Sequence, residues 1–367
     1  MADLFAYLQW RGDLSFTQDP LNPIDALIFS ALSYLSFGGS ARDNSQVPVS
    51  LRVAAEEFFE LPNPEERCRA KSDLSLLAAA SKSSRFGNAM LVHYRDTLIP
   101  EEETQFAAVT FLLDDGSAVL TFRGTDYSLV GWKEDFNMSF QETIPAQRLA
   151  LQYTQEIARE YSVPLWMCGH SKGGNLAVFA AVKAEPAIQR RILGVYNNDG
   201  PGFTDYLMND PAYKEMVPRI RTYVPQSSVI GMLLEHEEPY IIIKSKQLGL
   251  LQHELYSWEV LGKNFIPMEE ITANSRFLNQ TIKTWLADMS NQERNEVVDT
   301  VFELLSVGNV ENVLDIVQPK NIRNYLRALN TNGKIRKILS EELLSLVEAA
   351  KKTQLALEQT REDSPKE

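Results

Sequence analysis

The sequence predicts an α/β protein, a mostly parallel central sheet with helices on both faces, extended by helical segments at its N- and C-terminal ends. Three observations carry that expectation. Between residues 89 and 245 short apolar runs alternate with helical stretches, the pattern of a parallel sheet whose crossovers are helices. Inside that region "PLWMCGHSKGGNLAVFAAVKA" (164–184) runs from an apolar strand, through glycines and one serine, into an alanine-rich helix. Outside it, the stretches 20–83 and 267–355 carry apolar residues at helical spacing.

In chain order, "PLNPIDALIFSALSYLSF" (20–37) puts Ile24, Leu27, Ile28, Leu32 and Leu35 on one helical face, with Pro20 and Pro23 at the entry. Two more helices are expected near 48–60 and 64–83. The period then changes to that of strands over 89–99, 104–116 and 117–125, with Asp115-Gly116 as a hairpin turn. A helix over 145–161 precedes the strand at 164–168 and the helix after Ser171. Strands follow at 191–198, 219–225 and 240–245. Beyond 267 the pattern is helical to about 355; "SNQE" (290–293) is a capping box before an apolar run. Phe277, Ile282, Trp285, Val301 and Leu304 read as packing positions. The expected division is a helical segment over 1–84 packed on the core, an α/β core over 85–265, a helical region over 266–355 and a disordered tail over 356–367.

The balance of 36 basic against 49 acidic residues gives a net charge of −13. Such a surface repels nucleic acid and anionic membrane, whose phosphates need clustered cations. No stretch approaches the ~18 uninterrupted apolar residues of a membrane span. The opening stretch has acidic Asp3 and no basic leader before an apolar core, which argues against a signal peptide. Cys68 and Cys168 form no metal-like spacing, and so few cysteines suit a reducing compartment. A soluble cytoplasmic protein is expected.

Gly169-His170-Ser171-Lys172-Gly173 fits G-x-S-x-G with a strand before it and a helix after it, the context that gives the pattern meaning. A strained turn there lifts the hydroxyl clear of the sheet edge, and small flanking residues let strand and helix pass closely. The backbone N–H of Lys172, at a helix N-terminus, lies where an oxyanion would form.

A serine needs a base, and the chain has four histidines. His170 adjoins the nucleophile and reads as structural; His93 lies several strands upstream. The chain order serine, acid, histidine leaves His236 and His253. His236 precedes the strand at 240–245, on the wrong edge of a parallel sheet. His253 follows that strand, on the edge that Ser171 occupies, and is the expected base. For the acid, Asp199 in "GVYNNDGPGF" stands directly after a strand, with Glu235 as the reserve. Upstream, "VLTFRGTDYSLVGWKEDF" (119–136) is a strand running into Arg123-Gly124-Thr125 and a loop, where Thr125 offers a second oxyanion N–H and its hydroxyl. Asp126 and Asp135 read as loop-capping residues.

"TFRGT…GWKEDF" followed by "CGHSKGGNLA" resembles the α/β-hydrolase superfamily, close to the class 3 lipases. More specifically it resembles a bacterial family of lipase-like α/β-hydrolases, through "YLQWRGDLSF", "NNDGPGF", "VPQSSVIGMLLEH" and "LLQHELYSW" as well, over roughly residues 1–260. The resemblance implies the α/β-hydrolase fold and a serine-hydrolase core; it specifies no substrate. Two departures stand out. The lipases place their acid after the penultimate strand, where this chain has Ser227 and Ser228. Lys172 replaces an apolar residue, and a cation in the first helical turn opposes the helix dipole at a cost of ~0.3–1 kcal/mol. The expectation here is that Lys172 meets an anionic or strongly polar substrate group.

The expected chemistry is attack of Ser171 on an acyl carbonyl, with His253 as base, Asp199 orienting it, and the N–H groups of Lys172 and Thr125 holding the oxyanion. No metal or cofactor is needed. The expected substrate is a small acylated molecule, an ester of a lipid or another alcohol. The segments 128–132 and 229–234, with Trp132, Met232 and Leu233, would line the acyl site. Amide hydrolysis or acyl transfer would use the same groups. An inactive hydrolase fold acting as a binding or scaffold protein is the alternative from another class, favoured by the empty acid position.

Overall fold

A computed structural model of the protein describes residues 2–37, 47–126, 128–307, 316 and 318–362. Eight strands form one sheet in sequence order: β1 (Val49–Ser50), β2 (Met90–Ile99), β3 (Thr104–Leu112), β4 (Ala118–Phe122), β5 (Leu165–His170), β6 (Ile192–Asn198), β7 (Ile220–Pro225) and β8 (Tyr240–Ile243). β1 to β4 pair antiparallel, and β4 to β8 pair parallel. This is the α/β-hydrolase fold.

The β3 strand ends at Leu112, short of the expected 116, because the hairpin turn uses Gly116 at φ +81°. The helices of eight or more residues are α1 (Leu4–Arg11), α2 (Pro23–Leu32), α3 (Leu51–Glu60), α4 (Lys71–Lys82), α5 (Leu129–Asn137), α6 (Pro145–Glu160), α7 (Lys172–Lys183), α8 (Ala273–Ala287), α9 (Asn291–Ser306), α10 (Pro319–Thr331) and α11 (Gly333–Glu362). The tail expected from 356 begins inside α11, and residues 363–367 lie outside the described residues.

Both faces of the sheet are buried, and side chains alternate between them as the strand period requires. Val109, Phe111, Val119, Cys168, Tyr196 and Tyr223 join one cluster with α1, α2 and α4. Phe106, Ala108, Leu120, Phe122, Met167 and Val195 join the other with α6 and α7. Helix α2 is apolar on every side because it lies on β4, β5 and β6 and is covered in turn by α1 and α4. A buried capping box of Asn22 and Asp25 fixes its start.

The C-terminal helices pack mainly on one another, α8, α9 and α10 against α11. They reach the core through α9, where Phe302 meets Phe136 of α5. The capping box at Ser290 and Glu293 opens α9. At the start of α8, Thr272 N–H donates to Gln226 O and the Ser275 hydroxyl donates to Ser228 O, tying this region to the loop after β7. Among the described residues, no helix is long and apolar enough to cross a membrane.

Candidate active site

Ser171 is the turn between β5 and α7. Its backbone sits at φ 59° and ψ −135°, a left-handed conformation strained for a residue with a Cβ. Main-chain bonds enforce it: Ser171 N–H donates to Asn198 O on β6, and Gly174 N–H donates to Ser171 O. A Cβ on Gly169 would lie 2.1 Å from Gly173 O, so the sharp return of strand into helix needs glycine.

The parallel register sets the neighbours. β6 pairs beside β5 up to His170 and Asn198, so the residue after each strand end emerges at the same rim. Asp199 emerges there with φ 56°, a left-handed position that Asp tolerates better than most residues. Its N–H donates to Tyr223 O on β7. His253 arrives from the turn after β8. Its Nε2 lies 2.9 Å from Ser171 Oγ, and its Nδ1 lies 2.7 Å from Asp199 Oδ2.

The two serines after β7, which stand where the class 3 lipases place their acid, have a role that composition did not suggest. The Ser228 hydroxyl donates to Asp199 Oδ1 and accepts from Gly231 N–H, so it braces a carboxylate supplied one strand earlier. Ser227 N–H donates to Gln252 Oε1, next to His253 in the chain. Glu235, the reserve acid, points outward and pairs with Lys283 at 2.7 Å. His236 pairs with Glu238 and His93 with Glu160, both away from Ser171.

His170 is buried and is more than packing. Its Nδ1 is 2.9 Å from the Tyr34 hydroxyl, its Nε2 is 2.8 Å from the main-chain oxygen of His253, and its ring lies 4.6 Å from the His253 ring. Because Nε2 must donate to that carbonyl, Nδ1 is the acceptor for Tyr34 and the ring is neutral. Burial pushes its pKa well below the usual imidazole value, and the neighbouring His253 and Arg69 add to the effect. Arg69 lies over the Tyr34 ring and binds both oxygens of Glu254; Tyr256 donates to Asp73 of α4. The N-terminal helices therefore hold the histidine turn from outside.

An imidazole kept neutral in the fold takes up a proton more readily in the unfolded chain, so its contribution is complete above about pH 6.5. It is lost as pH falls below that, with a limiting slope of ~1.4 kcal/mol per pH unit. Urea midpoints measured at pH 7.5 and 5.5 are expected to converge between wild type and His170→Gln at the lower pH. The comparison cancels carboxyls of opposite sign such as Asp135, which desolvation pushes up to about 6 against the pull of Lys172. Parallel curves would contradict it.

On the other side of Ser171, β4 runs into Arg123-Gly124-Thr125. A Cβ on Gly124 would lie 2.5 Å from His170 O and 3.0 Å from Ser171 Cβ, so this loop passes directly over Ser171. Arg123 grips Asp96 of β2 with both terminal nitrogens at 2.9 and 2.8 Å. The expectation that the Thr125 hydroxyl faces an oxyanion is corrected: it donates to Asp135 at 2.5 Å. Asp126 caps its turn through Ser128, as expected, whereas Asp135 has this different partner.

The reading of Lys172 as a substrate-facing cation is also corrected. Its side chain is fully buried and Nζ is held by Glu134 at 2.8 Å and by Gln105 at 2.7 and 2.9 Å. Of the residues expected to line an acyl site, Trp132 is 44 % exposed on α5, Met232 is buried in the turn 230–232 and Leu233 is half-buried beside it. Leu248, Leu250 and Leu251 stand exposed on the turn that leads to His253. The sequence signal for them was present in "QLGLLQHEL", an apolar run too short and too close to glycine to be core. Among the described residues, no group of three or more His, Cys, Asp or Glu is placed to hold a metal ion.

Fold and elbow together define an α/β-hydrolase-fold protein. The family described as Mbeg1-like matches residues 80–303, and the chain belongs to that family. Among solved structures, the native Rhizomucor miehei lipase propeptide complex is 13% identical, with 60% of this chain and 67% of that chain covered, at a TM-score of 0.37. A mutant form of MDLA from Penicillium cyclopium is 14% identical, covering 67% and 84%, at 0.39. M37 lipase is 13% identical, covering 68% and 82%, at 0.35. No curated protein matches the chain.

Proposed function

We propose that the protein is a serine hydrolase that cleaves a carboxylic ester of a lipid or other acylated small molecule through an acyl-enzyme on Ser171. The observation that supports this reading is the unbroken relay from Ser171 Oγ to His253 Nε2 at 2.9 Å and from His253 Nδ1 to Asp199 at 2.7 Å. In the proposed cycle His253 takes the Ser171 proton as the oxygen attacks the acyl carbon. Asp199 keeps the imidazole in the accepting tautomer and offsets its positive charge. The N–H groups of Lys172 and Thr125 receive the oxyanion, His253 protonates the departing alcohol, and water then releases the acid by the reverse sequence. The exposed leucines before His253 and exposed Trp132 suit an apolar acyl group better than a charged one.

A fluorophosphonate probe tests the proposal, since it reacts only with an activated serine. Labelling is expected in the wild type and absent in Ser171→Ala. A screen of p-nitrophenyl esters of graded length is expected to show Ser171-dependent turnover. An unlabelled wild type with no ester turnover would favour a hydrolase-fold scaffold instead.

A further inference from the structure

We infer that the Lys172 side chain is a positioning element that fixes the separation of the two oxyanion donors; the inference rests on the acyl-enzyme reading above. Lys172 follows the nucleophile directly, so its N–H is the first proposed donor. Its side chain runs away from solvent into the space beneath α5, where all three ammonium hydrogens find acceptors: Gln105 O at 2.9 Å, Gln105 Oε1 at 2.7 Å and Glu134 Oε2 at 2.8 Å. Glu134 is itself fixed, accepting from Ala146 N–H at 2.8 Å and Gln105 N–H at 3.1 Å. The next residue on the same helix, Asp135, lies 3.8 Å from the ammonium and accepts the Thr125 hydroxyl at 2.5 Å. Thr125 carries the second proposed donor. A single chain of charged contacts thus joins one donor residue to the other through α5.

Stability does not account for this arrangement. A buried ammonium in the first turn of a helix opposes the helix dipole and loses its hydration, and an apolar residue there would avoid both costs. What the ion pair supplies is a fixed distance. Oxyanion stabilisation depends on donors held at hydrogen-bond range of an oxygen that exists only transiently, so small displacements of the loop at Thr125 weaken it.

The test separates position from folding. Thr125→Val keeps the shape and the N–H but deletes the link to Asp135. Thr125→Ser keeps the link. Thr125→Val is expected to lower kcat for p-nitrophenyl acetate and the rate of fluorophosphonate labelling by at least about tenfold, with KM unchanged, less than the ~10²–10³ of losing a donor outright. Thr125→Ser is expected to recover most of that loss. Lys172→Met alone leaves Glu134 as a buried charge without its cation, which costs folding stability, so it is combined with Glu134→Gln. The double variant is expected to show the same fall in kcat at constant KM. Wild-type kcat in Thr125→Val, equal loss in both Thr125 variants, or a change confined to KM would overturn the inference while leaving the hydrolase reading intact. A wild type that neither labels nor turns over ester would remove both.

Discussion

Asp199→Asn is expected to lower ester turnover about 10,000-fold while the protein remains folded, the size of effect seen when a triad acid loses its charge but keeps its shape. The structure gives a specific reason. Ser228 accepts a hydrogen bond from Gly231 N–H, and its own hydrogen goes to Asp199 Oδ1. An amide at this position is expected to keep its carbonyl oxygen toward Ser228, because turning the NH2 there would leave the Ser228 hydroxyl hydrogen without its acceptor. The NH2 then faces His253 Nδ1, which becomes an acceptor, and the ring hydrogen moves to Nε2, opposite Ser171 Oγ. An imidazole in that tautomer has no lone pair for the serine proton. Asparagine also tolerates the left-handed backbone at φ 56°, so folding is expected to survive. Turnover of p-nitrophenyl acetate, with near-ultraviolet circular dichroism to confirm packing, measures the effect. A loss below about tenfold would take Asp199 out of the relay.

The residues that meet at Ser171 were legible because each stands just beyond a strand, and strand direction follows from the alternation of strands and helices. The edge argument that preferred His253 to His236 needed nothing else. Other features depend on contacts between distant segments. The α5 stretch reads as a loop in the sequence because its buried face is Leu129, Gly131, Glu134 and Asn137, mostly polar or small, and apolar periodicity cannot register such a helix. Without α5 beside it, Lys172 has no visible partner, and a surface or substrate role becomes the natural reading. α1 has a local signal of its own: Asp3 caps it, and Leu4, Tyr7 and Leu8 are its buried stripe. Nothing local to His170 reveals that Tyr34, 136 residues earlier, will fix its tautomer. The two-residue strands Val260–Leu261 and Asn264–Phe265 pair through a tight turn and are too short for any period to show.

Arg85→Met is expected to destabilise the fold by about 3–5 kcal/mol, the cost of leaving a buried charge without its partner. Arg85 and Asp25 are both fully buried and meet at 2.6 and 2.8 Å. The guanidinium also donates to the carbonyls of Leu14, Ser15 and Asp19 and lies over the Phe16 ring, so it closes the loop between α1 and α2. Burial pushes the Asp25 carboxyl up, and Arg85 is the strongest influence pulling it back. Without the cation, the Asp25 carboxyl would be pushed up further still. Wild type and variant then lose stability in parallel just above the unfolded carboxylate value, and the deficit is expected to grow between the wild type's raised value and the variant's still higher one, so urea unfolding at pH 8 should show a larger loss than at pH 5. Arg85→Met combined with Asp25→Asn is expected to recover part of it, since no charge is then left buried. A loss independent of pH would assign the effect to the carbonyl contacts instead of the ion pair. The consequence reaches the site, because the chain from α2 onward supplies Ser30, which holds Asn198 beside the Ser171 turn, and Tyr34, which holds His170. Ester turnover is therefore expected to fall in Arg85→Met at temperatures below the onset of global unfolding, as the N-terminal helices loosen their grip on the histidine turn.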